Sequence, residues 1–448
     1  MRDGIREAHL ENGLMVLLQP VRTSPVATFW VWYRVGSRNE VQGITGISHW
    51  VEHMMFKGTP SLGKGDIMHL INRNGGVDNA FTSTDFTAYF ETLPSDRIDL
   101  ALRIESDRMV NSIFDPNEVA SERTVIISER EGGENDPRFW LGEEVQAAAF
   151  KVHPYHHDTI GWKVDLESMT RDDLYRHYRT YYVPNNAIIV GAGDFDPDQM
   201  LGDIEKAFGG IPRSSDIPLV RGVEPPQEGE RRVVLRRPGP TSYLHALYHG
   251  PAASDPDFFP VFVLAGVLSG VGGMSFSGHG SPGRSSRLYR ALVEKELAAD
   301  VDCGFRTTID PGSIDVSATV RPGVPIEKVE RAIFSELDKI ASKPITDQEL
   351  EKVIKQARSQ FVYATDGVMN VGYWLGQLEV VSSYKMYDRF LDQLEKVSKD
   401  DVQRAAAKYL TETNRTVGWF IPNEEAPAPR PVRRRARGTR KSARRTRG

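Results

Sequence analysis

The chain has 448 residues, 40% apolar and 26% charged, which fits a soluble globular protein of at least two domains and not one core. No run of about eighteen apolar residues occurs, so no membrane-spanning helix is expected. The formal charge of −5 is uneven: residues 430–448 carry nine Arg and one Lys, and removing those ten charges leaves residues 1–429 at −15, an acidic body that argues against a specific nucleic-acid-binding domain.

The N-terminus, MRDGIREAHLENGLMVLLQP, reaches its apolar stretch only after acidic and polar residues. That is not a signal-peptide layout and points to the cytoplasm, although a leader removed before residue 1 would leave the same sequence. Residues 14–20 and 27–35 (LMVLLQP and ATFWVWYRV) read as strands. Residues 45–58, TGISHWVEHMMFKG, read as a helix that Thr45 can cap and Gly58 stops. Ile47, Trp50, Val51, Met54 and Met55 are its apolar residues; His49, Glu52 and His53, spaced i, i+3 and i+4, share one face. Two imidazoles one turn apart can chelate a single Zn²⁺. A carboxylate between them sits where it can deprotonate a bound water. The order H-x-x-E-H is the inverted zinc-protease motif. The alternative is a helix with satisfied polar residues, but an ionisable triad on so apolar a helix is costly without a metal or partners.

Residues 87–93 (TAYFETL) read as a strand and 97–110 as a helix. Asp115-Pro116-Asn117-Glu118 is a strong helix start, with Asp at the N-cap, Pro at N1 and Glu at N3. The helix runs over 116–131 and stops at Gly132-Gly133. Glu122 and Glu129 lie seven apart, two turns along one face. One could complete a metal site while the other hydrogen-bonds a ligating histidine. Spacing does not choose between them, and Glu118 and Glu131 stay open.

Residues 187–193, 231–237 and 313–320 are further strand candidates, and 285–299, 327–341, 346–363 and 387–408 further helices. This mixture without strict alternation predicts an α+β fold. Residues 170–186 (TRDDLYRHYRTYYVPNN) and 398–414 (SKDDVQRAAAKYLTETN) share Thr170/Ser398, Asp172/Asp400, Asp173/Asp401, Tyr181/Tyr409 and Asn186/Asn414 at one offset of 228. Each opens as an N-cap with an acid at N3. The repeat predicts two similar halves of about 210 residues, joined within the Pro- and Gly-rich stretch 209–230. We place the halves at 1–215 and 216–424. Residues 425–448 are then a disordered basic tail, either solubilising or in contact with an acidic partner, nucleic acid or an anionic membrane. The glycine-rich stretch 270–284 reads as a surface loop or a lid. It lacks the Lys-Ser/Thr ending of a phosphate-binding loop. Cys303 is the single cysteine, so no intrachain disulfide forms; it is expected to be a small buried residue and not a catalytic thiol.

HWVEH followed by SERTVIISE resembles the pitrilysin/insulinase (M16) peptidases, in their mitochondrial-processing-peptidase-like bacterial branch. NRNGGVDNAFTSTDFTAYF, YHHDTIGWKVDL and YYVPNNAIIVGAGDF match later signatures. The likeness spans roughly residues 7–422. It implies two homologous halves, each a mainly antiparallel sheet flanked by helices, facing each other around a chamber, with no metal site in the second. It implies one Zn²⁺ held by His49, His53 and Glu129, Glu52 as general base, and Glu122 as the carboxylate orienting a histidine. Asn79, Ala80 and Phe81 match the edge strand that holds an extended peptide by backbone pairing.

The second half departs from the family's pattern. An expected Arg falls at Val293 and an expected Tyr at Asp300. In some family members a sister subunit supplies those two residues. The resemblance therefore implies a zinc endopeptidase of unfolded segments, working as a heterodimer with a metal-free sister that carries Arg and Tyr; a homodimer is the second choice. A non-catalytic subunit of a protein complex is the rival reading, and a zinc hydrolase of another substrate class a weaker one.

Overall fold

The computed structural model describes residues 4–274 and 283–423. The basic tail and residues 275–282 of the glycine-rich stretch lie outside the described residues. The first half holds strands β1 (Arg6–His9), β2 (Met15–Pro20), β3 (Val26–Tyr33), β4 (Val77–Thr82), β5 (Thr87–Pro94) and β6 (Ala187–Gly193). Its helices are α1 (Ile47–Met54), α2 (Asp66–Arg73), α3 (Asp99–Asn111), α4 (Pro116–Gly133), α5 (Pro137–Ala149), α6 (Lys163–Ser168), α7 (Arg171–Tyr181) and α8 (Pro197–Phe208). The second half holds β7 (Arg231–Pro238), β8 (Tyr243–His249), β9 (Ala298–Phe305), β10 (Ser313–Val320) and β11 (Arg415–Asn423). Its helices are α9 (Phe258–Ser269), α10 (Ile326–Ser342), α11 (Asp347–Ala364), α12 (Val368–Val381), α13 (Met386–Glu395) and α14 (Lys399–Tyr409).

The two sheets repeat one plan. The first has the order β1-β2-β6-β3-β5-β4 and the second β7-β11-β8-β10-β9. In each, the last strand of the half enters between a parallel neighbour, β2 or β7, and an antiparallel one, β3 or β8. The repeat seen in the sequence is the device that delivers this strand. Thr170 and Ser398 each close a capping box with Asp173 and Asp401. Asn186 and Asn414 each donate a side-chain hydrogen bond to the carbonyl of the tyrosine five residues back, at 2.9 and 2.8 Å.

Both faces of the first sheet are buried along its central strands β2, β6 and β3. Along β3, Phe29, Val31 and Tyr33 enter the core beneath α1, while Trp30 and Trp32 point to the opposite face. That opposite face is covered by a helix of the second half, since α12 packs on β3 and β6. The exchange is reciprocal, because α5 of the first half packs on β7, β8 and β11. Leu141 and Val145 of α5 join Leu247 and Phe420 in one cluster. A β-carbon on Gly372 would lie 2.3 Å from the Trp30 indole nitrogen, and one on Gly376 2.1 Å from that of Trp32, so α12 approaches only as glycine. The halves also meet where Asp310 accepts from Arg38 Nε at 2.9 Å and lies 3.0 Å from His153 Nε2.

Three expectations need correction. Residues 387–408 form two helices, because Ser398 caps a new one at Lys399. Residues 285–299 are not one helix: a π-helical turn spans Tyr289–Val293, Glu296 takes a left-handed φ of 58°, and β9 begins at Ala298. Thr45 does not cap α1. The N-cap is Gly46, at a φ of 86°, and Glu40 receives the orphan N–H groups of Gly46 and Ser48 at 2.8 and 2.9 Å. Thr45 instead donates to Asp165 at 2.7 Å. Residues 209–230 carry neither helix nor strand, and Cys303 is buried in the second core.

Candidate metal centre

Helix α1 buries Ile47, Trp50, Val51 and Met54 in the first core. Its remaining face turns toward α4, which packs on it. Asp115 starts α4 as expected, accepting from the N–H groups of Asn117 and Glu118 at 2.8 and 3.3 Å. At the other end Arg130 donates to the Gly161 carbonyl at 2.6 Å and to Glu143 at 2.9 Å, which fixes α4 against α5.

Between the two helices, His49 Nε2 and His53 Nε2 lie 3.2 Å apart, and Glu129 Oε2 lies 3.8 Å from each. Ligands about 2.0–2.1 Å from a tetrahedral zinc are separated by about 3.3 Å, so this donor set fits one ion. Among the described residues it is the one cluster of metal-ligating side chains so arranged. Burial, reinforced by neighbouring His53, pushes His49 down to about 3, which leaves it a neutral ligand. Glu129 is half exposed, so its carboxylate can adjust.

The four glutamates left open by spacing now separate. Glu118 pairs with Lys64 at 2.7 Å and Glu131 with Lys163 at 2.6 Å, both away from the histidines. Glu122 Oε1 lies 2.8 Å from His53 Nδ1, and its other oxygen meets Lys57 Nζ at 2.5 Å. Burial raises the Glu122 carboxyl, but hydrogen bonds from His53 and Lys57 outweigh it and hold the group below the usual range. An ionised Glu122 can accept a hydrogen bond from Nδ1–H, and a neutral His53 in that tautomer carries no proton on Nε2. Lys57 escaped the sequence reading; its spacing of four from His53 was the available signal.

Glu52 is 8% exposed and opens on the same cavity of about 540 Å³, together with Ala80, Phe81 and Phe139. Burial raises its carboxyl, and the hydrogen bond from Thr82 works against that. Among the described residues strand β4 is the edge of the first sheet and pairs with β5 alone, placing Asn79, Ala80 and Phe81 opposite Phe90, Tyr89 and Ala88. Among the described residues no strand pairs with its outer edge. Phe81 also packs against Trp30, Trp32 and Tyr373.

The second half carries the same pair of helices without the chemistry, with α9 packed on α11. Matched by their N-caps, the counterparts of His49, Glu52 and His53 are Pro260, Val263 and Leu264. Those of Glu122 and Glu129 are Val353 and Gln360. Val293 packs against the second core, and Asp300 is exposed on edge strand β9.

The fold is thus a duplicated α+β unit in which, among the described residues, the first half alone carries a cluster able to hold a metal ion. Residues 15–162 match the family description "Insulinase (Peptidase family M16)" and residues 168–357 match "Peptidase M16 inactive domain". The chain belongs to the M16 peptidase family. It is 28% identical to the zinc protease PqqE of Helicobacter pylori over 92% of each chain. It is 27% identical to the mitochondrial-processing peptidase subunit beta of Lentinula edodes, over 92% of this chain and 88% of that one. The crystal structure of a protease from Helicobacter pylori superposes with a TM-score of 0.88 at 28% identity, covering 94% of this chain and 100% of that one. No helix among the described residues is long and apolar enough to cross a membrane.

Proposed function

We propose that this chain is a zinc-dependent endopeptidase acting on extended or unfolded peptide segments. The observation that carries the reading is the convergence of two imidazole nitrogens and the Glu129 carboxylate beside the buried Glu52. We take residues 1–215 as the reactive half and 216–424 as its inert counterpart. His49, His53 and Glu129 would hold one Zn²⁺, which when bound supplies a Lewis acid for a water and for the scissile carbonyl. Glu52 takes the proton of the attacking water and returns it to the leaving amine. Glu122, held by Lys57, keeps His53 in its ligating tautomer. Asn79, Ala80 and Phe81 offer their backbone to the substrate as a pairing edge. That mode suits varied sequences and excludes folded proteins, whose backbones are already paired.

The test is metal content and peptide cleavage in the wild-type protein and in His49→Ala and His53→Ala. We expect one zinc per chain and activity in the first, and loss of both in the variants. Wild-type protein without zinc after supplementation would overturn the reading.

Full activity needs a partner in this account. Val293 and Asp300 offer neither a cation nor a phenol to the carbonyl oxygen that gains charge, and each such donor is typically worth a factor of about 10²–10³. One relative is by name a subunit, the beta subunit of a processing peptidase. We therefore propose a heterodimer with a sister chain that lacks the motif and carries Arg and Tyr. Peptide turnover and light scattering, with and without that sister, test it. No association, with turnover by the isolated chain already equal to that of the mixture, would exclude the division of labour.

A further inference from the structure

We propose that Thr82 is a positioning residue that ties the substrate-pairing edge to Glu52, an inference that rests on reading Glu52 as the general base. Thr82 is the last residue of β4, immediately after Ala80 and Phe81. Its hydroxyl donates to Glu52 Oε2 at 2.7 Å. Among the described residues no other side chain donates to that carboxylate. An ionised carboxylate can only accept, so the Thr82 hydroxyl is the donor of this bond. The Thr87 hydroxyl gives its own proton to the Val35 carbonyl at 2.9 Å and is a second acceptor for Thr82 only at the longer distance of 3.4 Å.

A glutamate side chain has three rotatable bonds, and the base must meet a water at one place. Thr82 removes part of that freedom. It does so from the strand that a peptide would extend, and not from the helix that bears the histidines. A peptide paired along β4 steadies the backbone of that strand, and with it the hydroxyl that holds Glu52. The base is then best aligned when a substrate is in register.

Thr82→Val removes the hydroxyl and keeps the shape; Thr82→Ser keeps the hydroxyl. With zinc-loaded full-length protein and an unstructured fluorogenic peptide, Thr82→Val should lower kcat roughly 10- to 100-fold, the range for a hydrogen bond to a charged group. KM and zinc affinity, the latter by chelator competition, should stay at wild-type values. Thr82→Ser should recover most of the rate. Adding Thr82→Val to Glu52→Gln should cost nothing further. The proposal is overturned if Thr82→Val turns over within twofold of wild type, if Thr82→Ser is as impaired as Thr82→Val, or if zinc affinity falls with the rate. Activity surviving in Glu52→Gln would remove the general-base reading and this proposal together. An inactive Glu52→Gln beside an unimpaired Thr82→Val would remove this proposal alone.

Discussion

Lys57 and His53 grip opposite oxygens of one carboxylate, that of Glu122. The lysine holds the group that touches one of the candidate metal ligands, His53. Lys57→Met should therefore weaken zinc binding about 10- to 100-fold, the usual effect of disturbing a partner behind a ligand. Glu122→Gln should do the same. Competition with a chromogenic chelator measures both, and unchanged affinity in both would show that His53 needs no orienting group.

Glu52 and Glu129 should separate by assay. Glu52→Gln keeps the three ligands, so zinc should stay while turnover falls about 10²–10⁴-fold. Glu129→Gln should lose zinc itself. Equal zinc loss in the two variants would contradict the assigned roles.

His177, on α7, gives the fold an acid-sensitive element. Burial pushes it down to about 3 from an ordinary 6.5. Between those values the unfolded chain binds a proton that the folded chain refuses. The stabilising contribution is complete above pH 6.5 and is lost as pH falls toward 3. At pH 4.5 this amounts to roughly 3 kcal/mol. His177→Gln should flatten the acid limb of stability by about that amount. Urea unfolding of both proteins at pH 7.5 and 4.5 checks it, and parallel losses would exclude His177 as the cause.

The close approach of α12 to the first sheet should tolerate no added carbon. Gly376→Ala places a methyl against Trp32, and we expect a loss of roughly 1–3 kcal/mol from overpacking. Gly142→Ala on α5 is the control, because a β-carbon there meets nothing within 4 Å. It should be neutral or slightly stabilising, since alanine is the better helix former. Denaturant unfolding of both variants gives the comparison.

Much of the candidate site was legible because its residues lie close together in the sequence. His49, Glu52 and His53 share one turn of helix, and Asp115-Pro116 announces α4 in four residues. The repeated capping boxes were legible for the same reason. Spacing could not choose among Glu118, Glu122, Glu129 and Glu131, because the choice depends on Lys64 and Lys163 drawing two of them away. Helices α9 and α12 went unread because they are buried on nearly every side and carry no polar stripe to set a period. Thr45 looked like a cap in sequence, but Glu40, six residues before Gly46, takes the helix N-terminus through a fold of the chain that no local pattern reports.

The reciprocal exchange of α5 and α12 also sets the order in which the protein can become complete at the ribosome. The first sheet has all its strands once Gly193 is made, yet Trp30, Trp32 and Phe90 wait for a helix that ends at Val381. At about 5–20 residues per second the wait lasts roughly 10–40 s. Over that interval a broad aromatic face stands open on a nascent chain, where self-association competes with folding. A gene cut near residue 215 would make the interval permanent, and its first product should need a chaperone, or the second half supplied in trans, to stay in solution.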